Sequence, residues 1–596
     1  MNRLALVLTL LSAAALSRPV DTAAANANAT LDTLCAQYWE GELRLSPVMA
    51  TSIGDRRYDA LLDDNTPAGI AKARAFYAGI VSRANAIPAE SLDAEHRLDR
   101  GALLQSAGDQ VDWIDCHFEQ WSVDPRDGPQ TSFMDLPDFT TIASTEDAAH
   151  FVSRVRAMGP YIDHMVATLR TGLAAKKTAN RRSVETTIEQ LDRLLAQEPS
   201  AWPLASPAHA HHFGWPTADS VTFQTDLEAA LRSTVPAFRR YREFLKNAVL
   251  PAARSDDKPG LSSMQGGVAT YQKMIRIHTS LQKTPQELHQ LGLDEVKRIR
   301  AALSELGGKT LGTTDVAEIQ RKLRTDPAMH FATADEVEAK ARATLARARA
   351  AIPQYFGILP KADCQVKVMG MHEAPYSTIA YYRNPAQDGS RPGYYMINTY
   401  QPETRPKYEA EALAFHESIP GHHLQIAIAM ELTGIPEFRK HEGVTAYVEG
   451  WGLYTERLAD DMHLYSSDVD RIGMLSFDAW RACRLVVDTG LHSMGWSRQQ
   501  AIDYMEQNTV LAENNIANEV DRYIGSPGQA LAYKCGQLEI LRLRQQAMDR
   551  LGSRFDIKAF HDVVLRNGAV ALPVLREQVE SWIAQTQTTP VVHVRD

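Results

Sequence analysis

The run His416-Glu417-Ser418-Ile419-Pro420-Gly421-His422-His423 holds the residue types of a metal-hydrolysis site, with two residues wedged into the usual spacing. In the plain form, His-Glu-x-x-His on one helix, histidines four apart share a face and hold zinc while the glutamate activates water. Here position 420 is a proline. On an unbroken helix turning about 100° and rising about 1.5 Å per residue, His416 and His422 point about 120° apart, and His416 and His423 align but sit about 10.5 Å apart along the axis. Neither pair could share an ion. Proline removes a backbone bond and clashes with the carbonyl four residues back, that of His416, while glycine reaches backbone angles closed to other residues. Pro420-Gly421 therefore reads as a bulge. If those two residues loop out, His422 takes the slot opposite His416; a bulge of different register would bring in His423.

A third ligand is available at a suitable distance. An apolar run from Leu424 to Leu432, a break at Gly434 to Pro436, and a second helical stretch from His441 to Glu456 make two helices that pack side by side. A carboxylate on the second can meet histidines on the first, which completes a set of two histidines and one glutamate and leaves zinc an open position. Glu449 precedes Gly450, where a backbone could approach closely, and it is the expected ligand. Glu456, two turns further on, is expected either to accept from a ligating ring nitrogen or to be a solvated charge. A hydrolase attacking a carbonyl also needs a donor for the oxygen that becomes negative. Tyr533, in the helix opened by Pro527, and Tyr523, before the Gly525-Ser526-Pro527 turn, are the candidates.

Three segments together carry a family resemblance: His416 to Gln425, Glu449-Gly450-Trp451-Gly452-Leu453-Tyr454-Thr455-Glu456, and Pro527 to Gln537. In combination they resemble the bacterial family called domain of unknown function 885, which is similar in layout to the helical gluzincin zinc peptidases. The resemblance implies zinc on His416, His422 and Glu449, Glu417 as general base, and Tyr533 as the donor to the oxyanion.

The elements that must position these residues are mostly helical. Segments such as Gly69 to Ala86, Thr145 to Leu173, Thr225 to Leu250 and Pro285 to Leu306 repeat apolar residues at three and four. Composition shifts after Pro353, where Gln365 to Val368, Thr378 to Tyr382 and Gly393 to Tyr400 are rich in strand formers. The expected fold is mainly α: a large helical body with a central cleft and a small antiparallel β-sheet beside the metal-binding helices. The strand ending at Asn398 is expected to be an edge strand that pairs with extended substrate backbone, with Tyr395 bordering the cleft. The division expected is a signal peptide over 1–29, an N-terminal helical region over 30–352 and a catalytic region over 353–596.

Composition sets the remaining bounds. With 63 Lys and Arg against 73 Asp and Glu the net charge is -10, which argues against a nucleic-acid partner and gives no basic membrane patch. The basic head Met1-Asn2-Arg3, the apolar run Leu4 to Leu16 and the small residues of 23–29 read as an export signal, too short to remain as a membrane anchor. The expected location is periplasmic or secreted. Five scattered cysteines indicate neither a disulfide scaffold nor a thiolate metal site. The function expected is zinc-dependent hydrolysis of short peptides. The rivals are a metal-free helical protein binding peptides or glycans, and a hydrolase acting on esters or peptidoglycan cross-links.

Overall fold

A computed structural model describes residues 20–371, 374, 378–386, 389 and 391–588. The helices that build the main cores and the later site, numbered in chain order, are α1 (Val20–Leu45), α2 (Pro67–Ala86), α3 (Ala94–Asp115), α4 (Thr145–Ala174), α5 (Thr217–Phe244), α6 (Pro285–Thr310), α7 (Ala334–Ala351), α8 (Ala410–Glu417), α9 (His422–Glu431), α10 (Thr445–Asp461), α11 (Asp468–Ser493), α12 (Glu513–Gly525), α13 (Ala532–Leu551) and α14 (Leu572–Thr588). Side chains that satisfy free N–H groups set several starts: reciprocal capping boxes of Ser144 with Asp147 on α4 and of Thr284 with Glu287 on α6, and Ser467 accepting from the Asp470 N–H on α11. The mainly α expectation holds.

Two cores lie in the first half of the chain. Leu31, Tyr38, Ile80 and Leu103 join α1, α2 and α3, and Phe151, Val155, Leu231 and Phe238 join α4 to α5. The second half has a core in which Leu345 and Ala348 of α7 share space with Phe415, Leu424, Trp451, Ile540 and Leu575. Another pairs Ile299 and Leu303 of α6 with Ile472, Cys483 and Val487 of α11. Packing therefore crosses residues 352/353. That boundary is a change of secondary structure and not a break in the core.

The sheet has three strands, β1 (Cys364–Val368), β2 (Ala380–Arg383) and β3 (Gly393–Ile397), in the order β1-β3-β2. β2 runs antiparallel to β3, but β1 is parallel to it, so the sheet is mixed where an antiparallel one was expected. The cause is connectivity: β3 folds back along β2 and then inserts between β2 and β1. β3 is thus the central strand, with β1 and β2 on its two sides.

Two features fix the helices around the later site. Gly450 of α10 meets Gly536 of α13 so closely that an added Cβ would lie 2.4 Å from the Gly536 Cα, so the two backbones touch where α10 presents Glu449. Asp478 of α11, fully enclosed, is bonded by Lys534 of α13 at 2.5 Å and by Arg298 of α6 at 3.1 Å, with Arg457 of α10 at 2.5 Å. Burial alone would raise this carboxyl, yet Lys534 and Arg457 hold it far below the usual carboxylate range. A buried charge is tolerated only when paired and bonded in this way, which locks four helices in one register.

No described helix is long and apolar enough to cross a membrane. Of the signal segment expected at 1–29, residues 1–19 lie outside the described residues, and 20–29 form the first turns of α1.

Candidate metal centre

The helix carrying His416 does not continue around a two-residue bulge, as the sequence suggested; it stops. α8 ends at Glu417, residues 418–421 break the helix, and α9 begins at His422. The physical reason is Pro420, which cannot donate and whose ring would strike the His416 carbonyl. Gly421 then passes so close that a Cβ there would lie 1.9 Å from the same carbonyl oxygen. The break is held by three bonds from side chains. Ser418 Oγ donates to the Ala414 carbonyl at 2.5 Å, Trp451 Nε1 to the Pro420 carbonyl and Thr455 Oγ1 to the Phe415 carbonyl, the last two at 3.0 Å. The last turn of one helix and the first of the next then point their imidazoles at each other, with ring centroids 4.7 Å apart and planes at 87°.

α10 supplies the third side. Glu449, Gly452 and Glu456 recur at three and four and so face one way along that helix. Glu449 Oε2 lies 3.6 Å from His416 Nε2 and 3.6 Å from His422 Nε2. Gly452 sits under the His416 ring. The other nitrogen, His416 Nδ1, lies 2.8 Å from Glu456 Oε1, and Glu456 is 1 % exposed. Glu456 therefore orients the ring and is not a solvated charge. The Glu417 carboxylate stands beside this group, within 4.8 Å of both imidazole ligand atoms.

The set fits a divalent cation. Donors about 2.1 Å from a tetrahedral zinc lie roughly 3.4 Å from one another, close to the spacing of Glu449 from both histidines. Three carboxylates, Glu417, Glu449 and Glu456, surround two imidazoles in a largely buried space. Burial would lower the His416 imidazole, but its bonds to Glu449 and Glu456 carry it up to about 10, and despite its own burial Glu449 is held well below the carboxylate range by His416 and His422. Such a cluster favours positive charge, which a proton or a metal ion can supply. Glu449, the expected third ligand, is equidistant from both Nε2 atoms. Among the described residues, the one group of histidines, cysteines and carboxylates gathered tightly enough for a metal is His416, Glu417 and His422, with Glu449 beside it.

His423, the alternative ligand, is turned away. Its Nε2 is 3.1 Å from the Ala362 carbonyl and must donate to it, so Nδ1 accepts from the Tyr382 hydroxyl at 3.0 Å. Both nitrogens are occupied by structural bonds, and burial pushes the imidazole down to about 4.

His416, Glu417, His422 and Glu449 open on a cavity of about 760 Å³, and Tyr533 lines it too. Tyr533 lies in the first turn of α13, with the Arg484 guanidinium 4.4 Å over its ring and Arg522 Nη2 3.4 Å from its hydroxyl. Tyr523 is different: its hydroxyl accepts from Trp480 Nε1 and Arg484 Nε at 3.0 and 2.9 Å, inside the core and off the cavity wall.

The expected substrate contacts Tyr395 and Asn398 line not this cavity but a smaller one that shares Ile379, Arg405, Glu409 and Phe477 with it. Tyr395 is 2 % exposed on the central strand, and Asn398 is fully buried. The Asn398 amide donates to the Ala374 and Thr378 carbonyls and its carbonyl accepts from the Tyr400 N–H, so it staples the end of the sheet. The strand that borders the cavity is β2, through Ala380, Tyr381 and Tyr382. Its strand-forming residues were evident in the sequence, but which of three strands would be the edge was not. The sequence reading also missed Trp480 and Arg481 of α11, whose spacing with Phe477 and Arg484 was the available signal.

Residues 47–579 match the family described as bacterial protein of unknown function (DUF885), and the chain belongs to that family. No curated protein matches it. A protein from Colwellia psychrerythraea, provisionally described as a lipoprotein, is 28% identical with a TM-score of 0.86, the match covering 94% of this chain and 99% of that one. A second, from Shewanella oneidensis and provisionally described as a lipoprotein of unknown function, shares the fold at 18% identity and a TM-score of 0.71, over 92% and 99% of the two chains.

Proposed function

We propose that this family member is an exported zinc-dependent peptidase acting on short peptides. The observation that carries the reading is the convergence of His416 Nε2 and His422 Nε2 on Glu449 Oε2, at 3.6 Å each, with Glu417 alongside in the wall of a deep cavity. His416, His422 and Glu449 would hold the metal, and Glu456 would fix the His416 tautomer. When bound, zinc supplies Lewis acidity, which polarises a carbonyl and brings proton loss from water into the neutral range. Glu417 accepts the proton of the attacking water and returns it to the leaving amine. The Tyr533 hydroxyl donates to the carbonyl oxygen as it becomes negative, and Arg484 over its ring holds it in place.

Substrate backbone would run beside β2, an outer strand of the sheet whose Ala380, Tyr381 and Tyr382 line the cavity. A space of about 760 Å³ is roughly 11 Å across if round, which accommodates about three residues of extended chain at about 3.4 Å each. This supports short peptides as substrates. The basic head and apolar run of the N-terminus support export, as does the description of two structural relatives as lipoproteins.

The test is metal analysis of purified protein beside turnover of a peptide library by wild type and Glu417→Gln. The expected result is one zinc per chain in both and a loss of about 10²- to 10⁴-fold in kcat in the variant. Absence of stoichiometric metal, with peptide binding indifferent to His416→Ala, would identify a binding protein instead. Cleavage of esters or peptidoglycan cross-links but not of peptides would identify a different hydrolase.

A further inference from the structure

Part of the cavity wall is formed by α11. Phe477, Trp480, Arg481 and Arg484 recur at three, four and seven and line the cavity on one helical face. The cavity lining is rich in guanidinium groups, in a protein whose net charge is -10. Most of them are engaged. Arg484 and Arg522 share Glu519, at 2.9 and 3.5 Å, and Arg324 donates to the backbone carbonyls of Glu506 and Thr509.

Arg481 differs. It is 5 % exposed, and its Nε and Nη1 have no hydrogen-bond partner. It forms no ion pair: Glu409, the buried acid that feels its charge, accepts instead from Ser476 Oγ at 2.8 Å. Burial, the largest influence, pushes Glu409 up to about 7, so near neutral pH it is an incomplete counter-charge. Arg481 stays charged, because guanidinium does not lose its proton in proteins. Its position is fixed by aromatic faces, with the guanidinium carbon 4.2 Å from the Trp480 ring centroid and 4.5 Å from that of Phe477. A rigid guanidinium in a cavity wall, buried without an ion pair and with its Nε and Nη1 enclosed and unsatisfied, is destabilising by itself and is matched by an anion held in the cavity.

We propose that Arg481 binds the free C-terminal carboxylate of the peptide, making the enzyme one that cleaves near the C-terminus of short chains. The proposal rests on the peptidase reading for its substrate class. The carboxylate is the group that a guanidinium fits, and Arg481 and the metal-centre residues line one cavity of about 760 Å³, so a short peptide with a bond at the centre can place its chain end beside Arg481. An acidic side chain carries the same chemistry and is the alternative source.

The experiment compares three N-acetylated tetrapeptides on the zinc-loaded full chain: one with a free C-terminus, one C-terminally amidated, and one amidated but with glutamate at the last position. Arg481→Met and Arg481→Lys are assayed beside wild type. Amidation is expected to raise KM about 10- to 100-fold in wild type, the range for one lost charge-assisted bond, and less than about 3-fold in Arg481→Met. Arg481→Lys should recover part of the preference. Equal kcat/KM for acid and amide, or a preference that survives in Arg481→Met, overturns the assignment. Recovery by the glutamate amide also overturns it, in favour of side-chain recognition. If no peptide is cleaved, the peptidase reading falls, and calorimetry of N-acetyl-dialanine and its amide on Glu417→Gln still decides the carboxylate. Preferential binding of the acid supports the proposal; equal binding refutes it. Should Arg481→Met fail to fold, the acid and amide comparison on wild type and Arg481→Lys decides.

Discussion

Gly452→Ala is the sharpest probe of the centre, because two opposed effects of known size meet at one atom. An added Cβ at position 452 would lie 2.8, 2.9 and 3.1 Å from three atoms of the His416 ring. Ordinary carbon contacts begin near 3.5 Å, so the ring would have to recede by about half an ångström or more. It has little room: Nδ1 is held by Glu456 at 2.8 Å, and the His422 ring stands edge-on with its centroid 4.7 Å away. Metal–ligand distances tolerate about 0.2 Å. Zinc affinity should therefore fall by about 10- to 100-fold, or about 1.4–2.7 kcal/mol. Stability without metal should fall by between about 0 and 2 kcal/mol, since alanine gains about 1 kcal/mol over glycine inside a helix and overpacking costs about 1–3 kcal/mol. Competition with a chromophoric chelator reads the affinity, and urea unfolding in the presence of a strong chelator reads the stability. Undiminished affinity together with a gain of about 1 kcal/mol would refute the reasoning, because only the propensity effect would then be present.

Two further outcomes are expected. Glu456→Gln keeps the shape but removes the charge behind the His416 imidazole, so zinc affinity should drop about 10- to 100-fold with the ligands intact, read in the same competition assay; an unchanged affinity would show that Glu456 is only a packing group. Burial first, and the charge of Glu42 second, push the Glu442 carboxyl from an ordinary 4.5 up to about 8, with the Tyr38 hydroxyl of α1 donating to it at 3.1 Å. Between those values the folded protein holds a proton that the unfolded chain has released, so this stabilisation is complete below about pH 4.5 and is lost as pH rises through 8. Glu442→Gln, which cannot ionise, should flatten the decline of the urea midpoint between pH 5 and 8; an identical slope in the variant would exclude Glu442 as its source.

Legibility varied by residue for stated reasons. The His416 and His422 pair could be found because proline and glycine are the two residues whose backbone limits override helix geometry, so their presence between histidines signals a detour. The form of the detour, a full break between α8 and α9, depends on bonds from Trp451 and Thr455 of another helix and is absent from local sequence. The expectation that the strand ending at Asn398 lies at the sheet edge failed for a similar reason. Strand-forming composition locates strands, but strand order is set by chain crossings, and β3 took the centre.

By itself the sequence determined a mainly helical chain, the residue types of a two-histidine, one-glutamate centre, and the helices that bear them, because periodicity and backbone restriction are properties of near neighbours. Only the tertiary structure decided that Glu449 stands equally far from both imidazoles, that Glu456 backs one of them while His423 turns away, and that Arg481 lies unpaired in the same cavity. Those facts depend on how α10 and α11 pack against α8, and packing brings together residues that no spacing along the chain relates.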